Sequence, residues 1–61
     1  MKQFIGLSFD ECVALAKEMG RDYDLREDGC LWVETWGESD GADLWFDEAG
    51  RCGGYDFCMY L

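Results

Sequence analysis

The sequence predicts an α+β fold in which one N-terminal helix packs on a three- to four-stranded antiparallel sheet. Between residues 9 and 19, apolar residues recur every three or four positions, as they do on one face of a helix. After residue 22, apolar and polar residues alternate, which is the period of a strand with one buried face. We expect a single domain, residues 1–61, with a small core, because a chain of this length buries only about 60% of the surface that it exposes when unfolded.

The helix carries the clearest local signals. Ser8 and Glu11 have the S-x-x-E spacing of a capping box, and Gly20 is a typical residue just beyond a helix C-terminus. These signals predict a helix from residue 8 or 9 to residue 19, preceded by a short extended segment at residues 1–7. The stripe expected to face the core consists of Phe9, Cys12, Val13, Ala16 and Met19.

The second half of the chain predicts the sheet. Strands are expected at residues 22–26, 30–36, 42–47 and 55–61, with turns at residues 27–29, 37–41 and 48–51. An antiparallel sheet with a single helix has one covered and one open face. The residues expected beneath the helix are Leu31, Val33, Leu44, Phe46, Phe57 and Met59. Those expected on the open face are Trp32, Glu34, Trp36, Asp43, Trp45, Asp47, Asp56 and Tyr60.

The composition argues against several functional classes. Fourteen acids against five bases give a net charge of −9, which repels nucleic acid and anionic membranes and favours basic partners. The chain has no His, and residues 50–54 lack the Lys of a phosphate-binding loop, so we expect no enzyme, no catalytic residues and no cofactor. Residues 22–33 begin like a calcium-binding loop, but Val33 stands where a bidentate Glu is needed, so no metal site is expected either.

The chain shows neither the pattern of a signal peptide nor an apolar run of the roughly 18 to 20 residues needed to span a membrane. We therefore expect a cytoplasmic protein without membrane contact. Its four cysteines are expected to remain reduced and to act as small hydrophobic residues. If one disulfide forms, Cys52 and Cys58 are the local candidates.

Residues 27–50 are the most distinctive stretch, because they are rich in acids, contain all three tryptophans and contain no Lys or Arg. Side chains two residues apart on a strand are about 6.5 to 7 Å apart, and neighbouring strands are about 4.8 Å apart. Carboxylates at such positions approximate the phosphates of a nucleic acid. The sequence therefore predicts a surface that binds the basic groove of a nucleic-acid-binding protein. The candidate partner-binding residues are Glu34, Trp36, Glu38, Asp40, Asp43, Trp45, Asp47 and Glu48.

A very short, strongly acidic and aromatic-rich chain of this kind resembles the phage-encoded anti-CRISPR proteins and related DNA-mimic inhibitors. The resemblance is one of type and covers the whole chain. It implies a Cascade-type CRISPR effector as the partner, inhibition of its DNA or PAM recognition, and a location in the cytoplasm of a bacterial host.

A local pattern is similar to the small protease inhibitors of the potato-inhibitor-I type. It comprises residues 6–16 (GLSFDECVALA), 20–23 (GRDY) and 42–51 (ADLWFDEAGR). The resemblance implies a helix on a small sheet, with an inhibitory loop at residues 34–43. That loop has Gly37 and Gly41 where the family usually has Pro and basic residues. A protease inhibitor or another protein–protein interaction module therefore remains the alternative function, and both a monomer and a homodimer remain open.

Overall fold

The computed structural model describes residues 1–35 and 41–57, together with the backbone of Cys58. It confirms the α+β class, with one α-helix among the described residues and a four-stranded antiparallel sheet in the order β1-β2-β3-β4. The elements are a short 3-10 helix Lys2–Phe4, helix α1 Phe9–Glu18 and strands β1 Tyr23–Leu25, β2 Leu31–Glu34, β3 Gly41–Phe46 and β4 Cys52–Cys58. No helix in the described ranges has the length and apolar character that a membrane crossing requires.

Helix α1 is held at both ends by the predicted signals. The Glu11 N–H donates to Ser8 Oγ over 3.2 Å, and the Ser8 N–H donates to Glu11 Oε1 over 3.0 Å, so the capping box is complete. At the other end Gly20 adopts a φ of +71°, and the Arg21 N–H donates to the Ala16 carbonyl over 2.9 Å. This geometry is a Schellman motif, which satisfies carbonyls that the end of the helix leaves open.

The core lies between α1 and the sheet. From the helix it takes Cys12 and Ala16, and from the sheet it takes the alternate residues Leu31, Val33 and Leu44, all fully buried. The other members of the predicted helical stripe are partly buried and pack against this cluster. The alternation of the strands therefore predicted the covered face correctly in β2 and in most of β3.

The N-terminal segment differs from the prediction. Residues 1–7 were expected to be extended, but Lys2–Phe4 forms a 3-10 turn that places Phe4 in the core, fully buried. The segment then runs beside the start of β4, where the Cys52 N–H donates to the Leu7 carbonyl over 2.7 Å. A small domain gains from this arrangement, because burying one Phe contributes about 1.5 to 3 kcal/mol of transfer free energy.

Helix α1 crosses the sheet diagonally. Its first turn meets the end of β3, where the Phe9 and Phe46 ring centroids are 5.6 Å apart. Its last turn meets the start of β1, where Lys17 Nζ lies 5.8 Å from the centre of the Tyr23 ring. Within the described part of the chain, α1 does not cover the other two corners of the sheet. Phe57, which was expected beneath the helix, is for this reason 52% exposed.

The fourth strand begins three residues earlier than predicted. The final strand was expected at residues 55–61, after Gly53 and Gly54, but both glycines belong to β4, which starts at Cys52. Trp45 pairs with Gly54 and Phe46 with Cys52, so Gly53 is the additional residue of a β-bulge.

The extent of β4 excludes a disulfide between Cys52 and Cys58. The two residues stand at opposite ends of one extended strand, so their Cα atoms are about 20 Å apart. A disulfide needs Cα atoms within about 7 Å of each other. Cys12 and Cys52 instead lie side by side in the core as free thiols. Burial and the neighbouring Cys52 thiol raise the pKa of Cys12 to about 11.

Candidate partner-binding surface

The sheet face turned away from α1 gathers acids and tryptophans, and we call it the open face. One row crosses all four strands in register and consists of Asp24, Trp32, Asp43 and Asp56. Glu34 and Trp45 lie on the same face, two residues along from Trp32 and Asp43. The open face is therefore defined by Asp24, Trp32, Glu34, Asp43, Trp45 and Asp56.

Two carboxylates of this face stand directly opposite each other. Asp43 on β3 is paired with Asp56 on β4, and facing side chains on adjacent strands have Cβ atoms about 4.5 to 5.5 Å apart. Like charges at this spacing destabilise a sheet. Arg26 offsets part of the repulsion, since its Nε lies 3.5 Å from Asp43 Oδ1. An exposed ion pair of this kind contributes about 0 to 1 kcal/mol, so the excess of negative charge remains.

Trp45 lies flat on the sheet rather than standing upright. A Cβ atom at Gly53 or at Gly54 would overlap opposite sides of its six-membered ring, so the ring spans both glycines. One side of the indole covers the backbone, and the residue is still 44% exposed. Trp45 therefore offers a fixed, flat apolar surface beside Asp43.

Trp32 has a different environment. Its ring covers Gly41, whose Cβ position is filled by the indole edge around Nε1. The Arg26 guanidinium lies 5.7 Å from the centre of the Trp32 ring. The Nε1–H is buried and has no acceptor within the described part of the chain. Trp32 thus contributes mainly to the structure of the face, although its position on the face was predicted correctly.

Glu34 is half-buried at the end of β2. The Asp22 N–H donates to its Oε1 over 3.4 Å, and Arg21 Nη1 donates to its carbonyl over 3.1 Å. The carboxylate therefore links the end of β2 to the residue that precedes β1, and it adds negative charge to the rim of the open face.

Asp47 and Glu48 lie in the turn between β3 and β4, beyond the strands that form the open face. Asp47 Oδ1 accepts the Ala49 N–H over 2.9 Å and the Arg51 N–H over 3.1 Å, so this carboxylate shapes the turn. Glu48 is exposed at the tip of the same turn. Asp47 was predicted on the open face, but its hydrogen bonds assign it a structural role. Trp36, Glu38 and Asp40, the other candidate residues, lie outside the described residues, as do Met59 and Tyr60.

Two charged residues of this surface were not among those expected on the open face. Asp24 and Arg26 lie on β1 and just after it, and both face the same way as Trp32. The sequence could have indicated this position. Tyr23 and Leu25 alternate with Asp24 and Arg26, and successive residues of a strand point to opposite faces of the sheet. Arg26 also places a positive charge against Asp43 and Trp32 of the open face.

The pKa of Cys30 is affected by several acids that lie close together at this end of the sheet. Burial raises the pKa of its thiol, and the charges of Asp28, Asp43 and Asp56 add to the effect. The Cys30 N–H donates to Asp28 Oδ1 over 3.1 Å, and this bond lowers the pKa of Asp28. Among the described residues, no three Cys, Asp or Glu side chains are arranged to hold a metal ion.

Comparison with known proteins gives no match to a protein-family model, to a curated protein or to a solved structure.

Proposed function

We propose that this chain is an acidic decoy whose open face occupies the basic, nucleic-acid-binding groove of a partner protein. The observation that carries the proposal is the Asp43–Asp56 pair, with Asp24 in the same row. A charge needed only for solubility is better placed where carboxylates do not repel each other. Two carboxylates that face each other on adjacent strands reduce the stability of the fold, and a basic partner offsets this cost when it binds.

Trp45 supplies the anchor in this proposal. Its outer surface lies beside Asp43 and is held by contact with Gly53 and Gly54. Nucleic-acid-binding grooves are rich in Arg, and a guanidinium stacks on the face of an indole while its N–H groups bind a neighbouring carboxylate. Trp45 and Asp43 together therefore suit an Arg that otherwise contacts a phosphate. Aromatic anchors of this type dominate the energy of many interfaces.

The resemblance to the anti-CRISPR proteins makes a Cascade-type CRISPR effector the first partner to test. The test is a competition experiment in which the full chain is titrated into the purified effector bound to labelled duplex DNA containing a PAM. We expect release of the DNA, with an inhibition constant that rises steeply with salt, because the effect depends on screened charges. A lack of competition would overturn the assignment to this effector. Retention on immobilised chain of other nucleic-acid-binding proteins that duplex DNA elutes would keep the decoy proposal.

The decisive variant is the double neutralisation Asp43→Asn with Asp56→Asn. It keeps the size of both side chains, and we expect it to weaken competition at least tenfold. The matched control is Asp10→Asn with Glu18→Gln, which removes two exposed charges from α1 on the other side of the molecule. If both double variants weaken binding equally, only net charge matters and the open face is not the binding surface. Asp47 is left intact because its loss would disturb the turn.

A further inference from the structure

Strand β1 forms an exposed edge of the sheet. It is the last strand on its side and, among the described residues, pairs only with β2. All three of its residues are exposed, with Tyr23 at 39% and Leu25 at 61%. Edge strands are protected against pairing with another strand by short length, by charged side chains (especially Lys), by Pro or by a bulge. β1 has the sequence Tyr-Asp-Leu and carries neither Lys nor Pro.

The hydrogen bonds at both ends of β1 show which of its backbone groups point outward. The Glu34 N–H donates to the Asp22 carbonyl, and the Arg26 N–H donates to the Cys30 carbonyl, each over 2.8 Å. In an antiparallel pair, hydrogen-bonded and non-hydrogen-bonded residues alternate along each strand. The N–H and C=O groups of Tyr23 and Leu25 therefore point away from β2, towards the position of an additional strand.

The two sides of this edge differ in chemistry. The Tyr23 and Leu25 side chains lie on the side of α1, as the contact between Lys17 and Tyr23 shows. Asp24 lies on the open face opposite Trp32, and Asp22 lies there beside Glu34. A strand added to this edge thus meets apolar side chains on one side and carboxylates on the other.

We propose that β1 accepts, as an additional antiparallel strand, an extended segment of a partner protein in which apolar and basic residues alternate. Its backbone pairs with Tyr23 and Leu25, its apolar side chains cover these two residues, and its Lys or Arg side chains face Asp22 and Asp24. Strand addition of this kind is a common mode of peptide recognition. The proposal shares with the decoy function the positive charge of the partner and one residue, Asp24, which lies at the margin of the open face.

Charge distinguishes this occupant from a second copy of the chain. Two β1 strands that paired antiparallel through Tyr23 and Leu25 would place Asp24 of one copy directly opposite Asp24 of the other. Like charges in facing positions disfavour this dimer. The edge of β4 is less suitable for a partner, because the Gly6 N–H donates to the Cys52 carbonyl over 2.8 Å and covers the beginning of that strand.

The test uses a capped five-residue peptide of alternating Val and Lys, titrated into the ¹⁵N-labelled full chain and followed by NMR. We expect slower hydrogen exchange of the Tyr23 and Leu25 amides on binding. The control peptide has the same sequence and charge but is N-methylated at two Val residues, which removes the donors that the edge requires. It should bind at least tenfold more weakly. Equal affinity of the two peptides would overturn the proposal, because charge alone would then explain the binding.

Substitutions in β1 provide an independent test. Leu25→Pro removes an N–H that points outward, so the pairing with β2 stays intact while the additional strand loses a donor. Leu25→Ala is the matched control, which keeps the N–H. We expect Leu25→Pro to abolish peptide binding and Leu25→Ala to weaken it only in part. Unchanged peptide binding by Leu25→Pro, or a dimer in sedimentation that Leu25→Pro dissociates, would contradict the proposal. If Leu25→Pro does not fold, the comparison of the two peptides on the unmodified chain still decides.

The two proposals fail separately. Asp43→Asn with Asp56→Asn should impair the competition with DNA while largely preserving peptide binding at β1. Leu25→Pro tests only the edge, because Leu25 lies on the side of α1. A chain that competes with DNA but does not distinguish the two peptides would retain the decoy function and lose the edge proposal.

Discussion

Trp45 and Trp32 depend on glycines in neighbouring strands. Trp45 covers Gly53 and Gly54, and Trp32 covers Gly41, so each ring occupies space that a Cβ atom would fill. Glycine within a strand normally weakens it, because it loses more conformational freedom and offers no side chain to pack. An aromatic ring laid across the glycine replaces that missing packing. The glycines and tryptophans of this face are therefore one structural unit.

This unit makes a sharp prediction for Gly54→Ala. The added methyl group overlaps the Trp45 ring, so either the ring or the strand must shift, and we expect the free energy of unfolding to fall by about 1 to 3 kcal/mol. Urea unfolding measures the change. In a Trp45→Ala background the overlap is gone, and the same substitution should instead stabilise the chain by about 0.5 to 1 kcal/mol. A cost that persists without the tryptophan would contradict the proposed contact.

The same contact explains why the start of β4 could not be predicted from the sequence. Glycine is depleted in strands, and the last strand was predicted to begin only at residue 55, after Gly53 and Gly54. Their place in a strand depends on Trp45, which is eight or more residues away in the sequence. Local patterns cannot reveal a partner on another strand.

Among the elements, α1 was the most predictable, because its signals are local. The capping box, the apolar stripe and Gly20 all lie within the helix or next to it. The direction in which α1 crosses the sheet was not predictable, since it depends on contacts between distant residues such as Phe9 and Phe46. Because α1 crosses the sheet in this direction, the corners at Leu25 and Phe57 are exposed. The exposed corner at Leu25 makes the edge of β1 accessible.

The capping box predicts a specific dependence of stability on pH. The hydrogen bond from the Ser8 backbone, followed by that from its side chain, lowers the pKa of Glu11 below the value of 4.5 expected in the unfolded chain. A carboxylate with a lowered pKa stabilises the folded state above the unfolded value, and this contribution is lost as the pH falls through the folded value. Compared with Glu11→Gln, the unmodified chain should therefore have its greatest advantage in melting temperature above about pH 5.

Thermal unfolding of both chains between about pH 7 and pH 3, followed by circular dichroism, measures this advantage. It should decrease steadily below about pH 5. Glu18→Gln is the control, since it removes a carboxylate from the opposite end of the same helix, away from the cap. A constant difference between the unmodified chain and Glu11→Gln at all pH values would show that the Glu11 charge does not contribute through the cap.

At the scale of the whole molecule, the proposed binding surface depends on where the charges lie and not only on the net charge. The net charge of −9 and the acidic, Trp-rich stretch at residues 27–50 were evident from the sequence. The alternation of the strands also placed Trp32, Asp43, Trp45 and Asp56 on one face. The pairing of Asp43 with Asp56 and the approach of Arg26 depend on the register, which the sequence did not determine.

The facing carboxylates predict that one acid of the open face reduces stability. Asp56→Asn removes the repulsion from Asp43, so we expect it to raise the free energy of unfolding by about 0.2 to 1 kcal/mol at low ionic strength. The gain should shrink towards 1 M NaCl, where the screening length is only about 3 Å. Asp10→Asn is the matched control with the same change in charge. It should destabilise the chain, because Asp10 lies at the positive end of the α1 dipole.

If Asp56→Asn proves destabilising at low salt, the two carboxylates do not repel each other as their register indicates. A stabilising Asp56→Asn that also weakens the competition with DNA would instead show that this face gives up stability for binding.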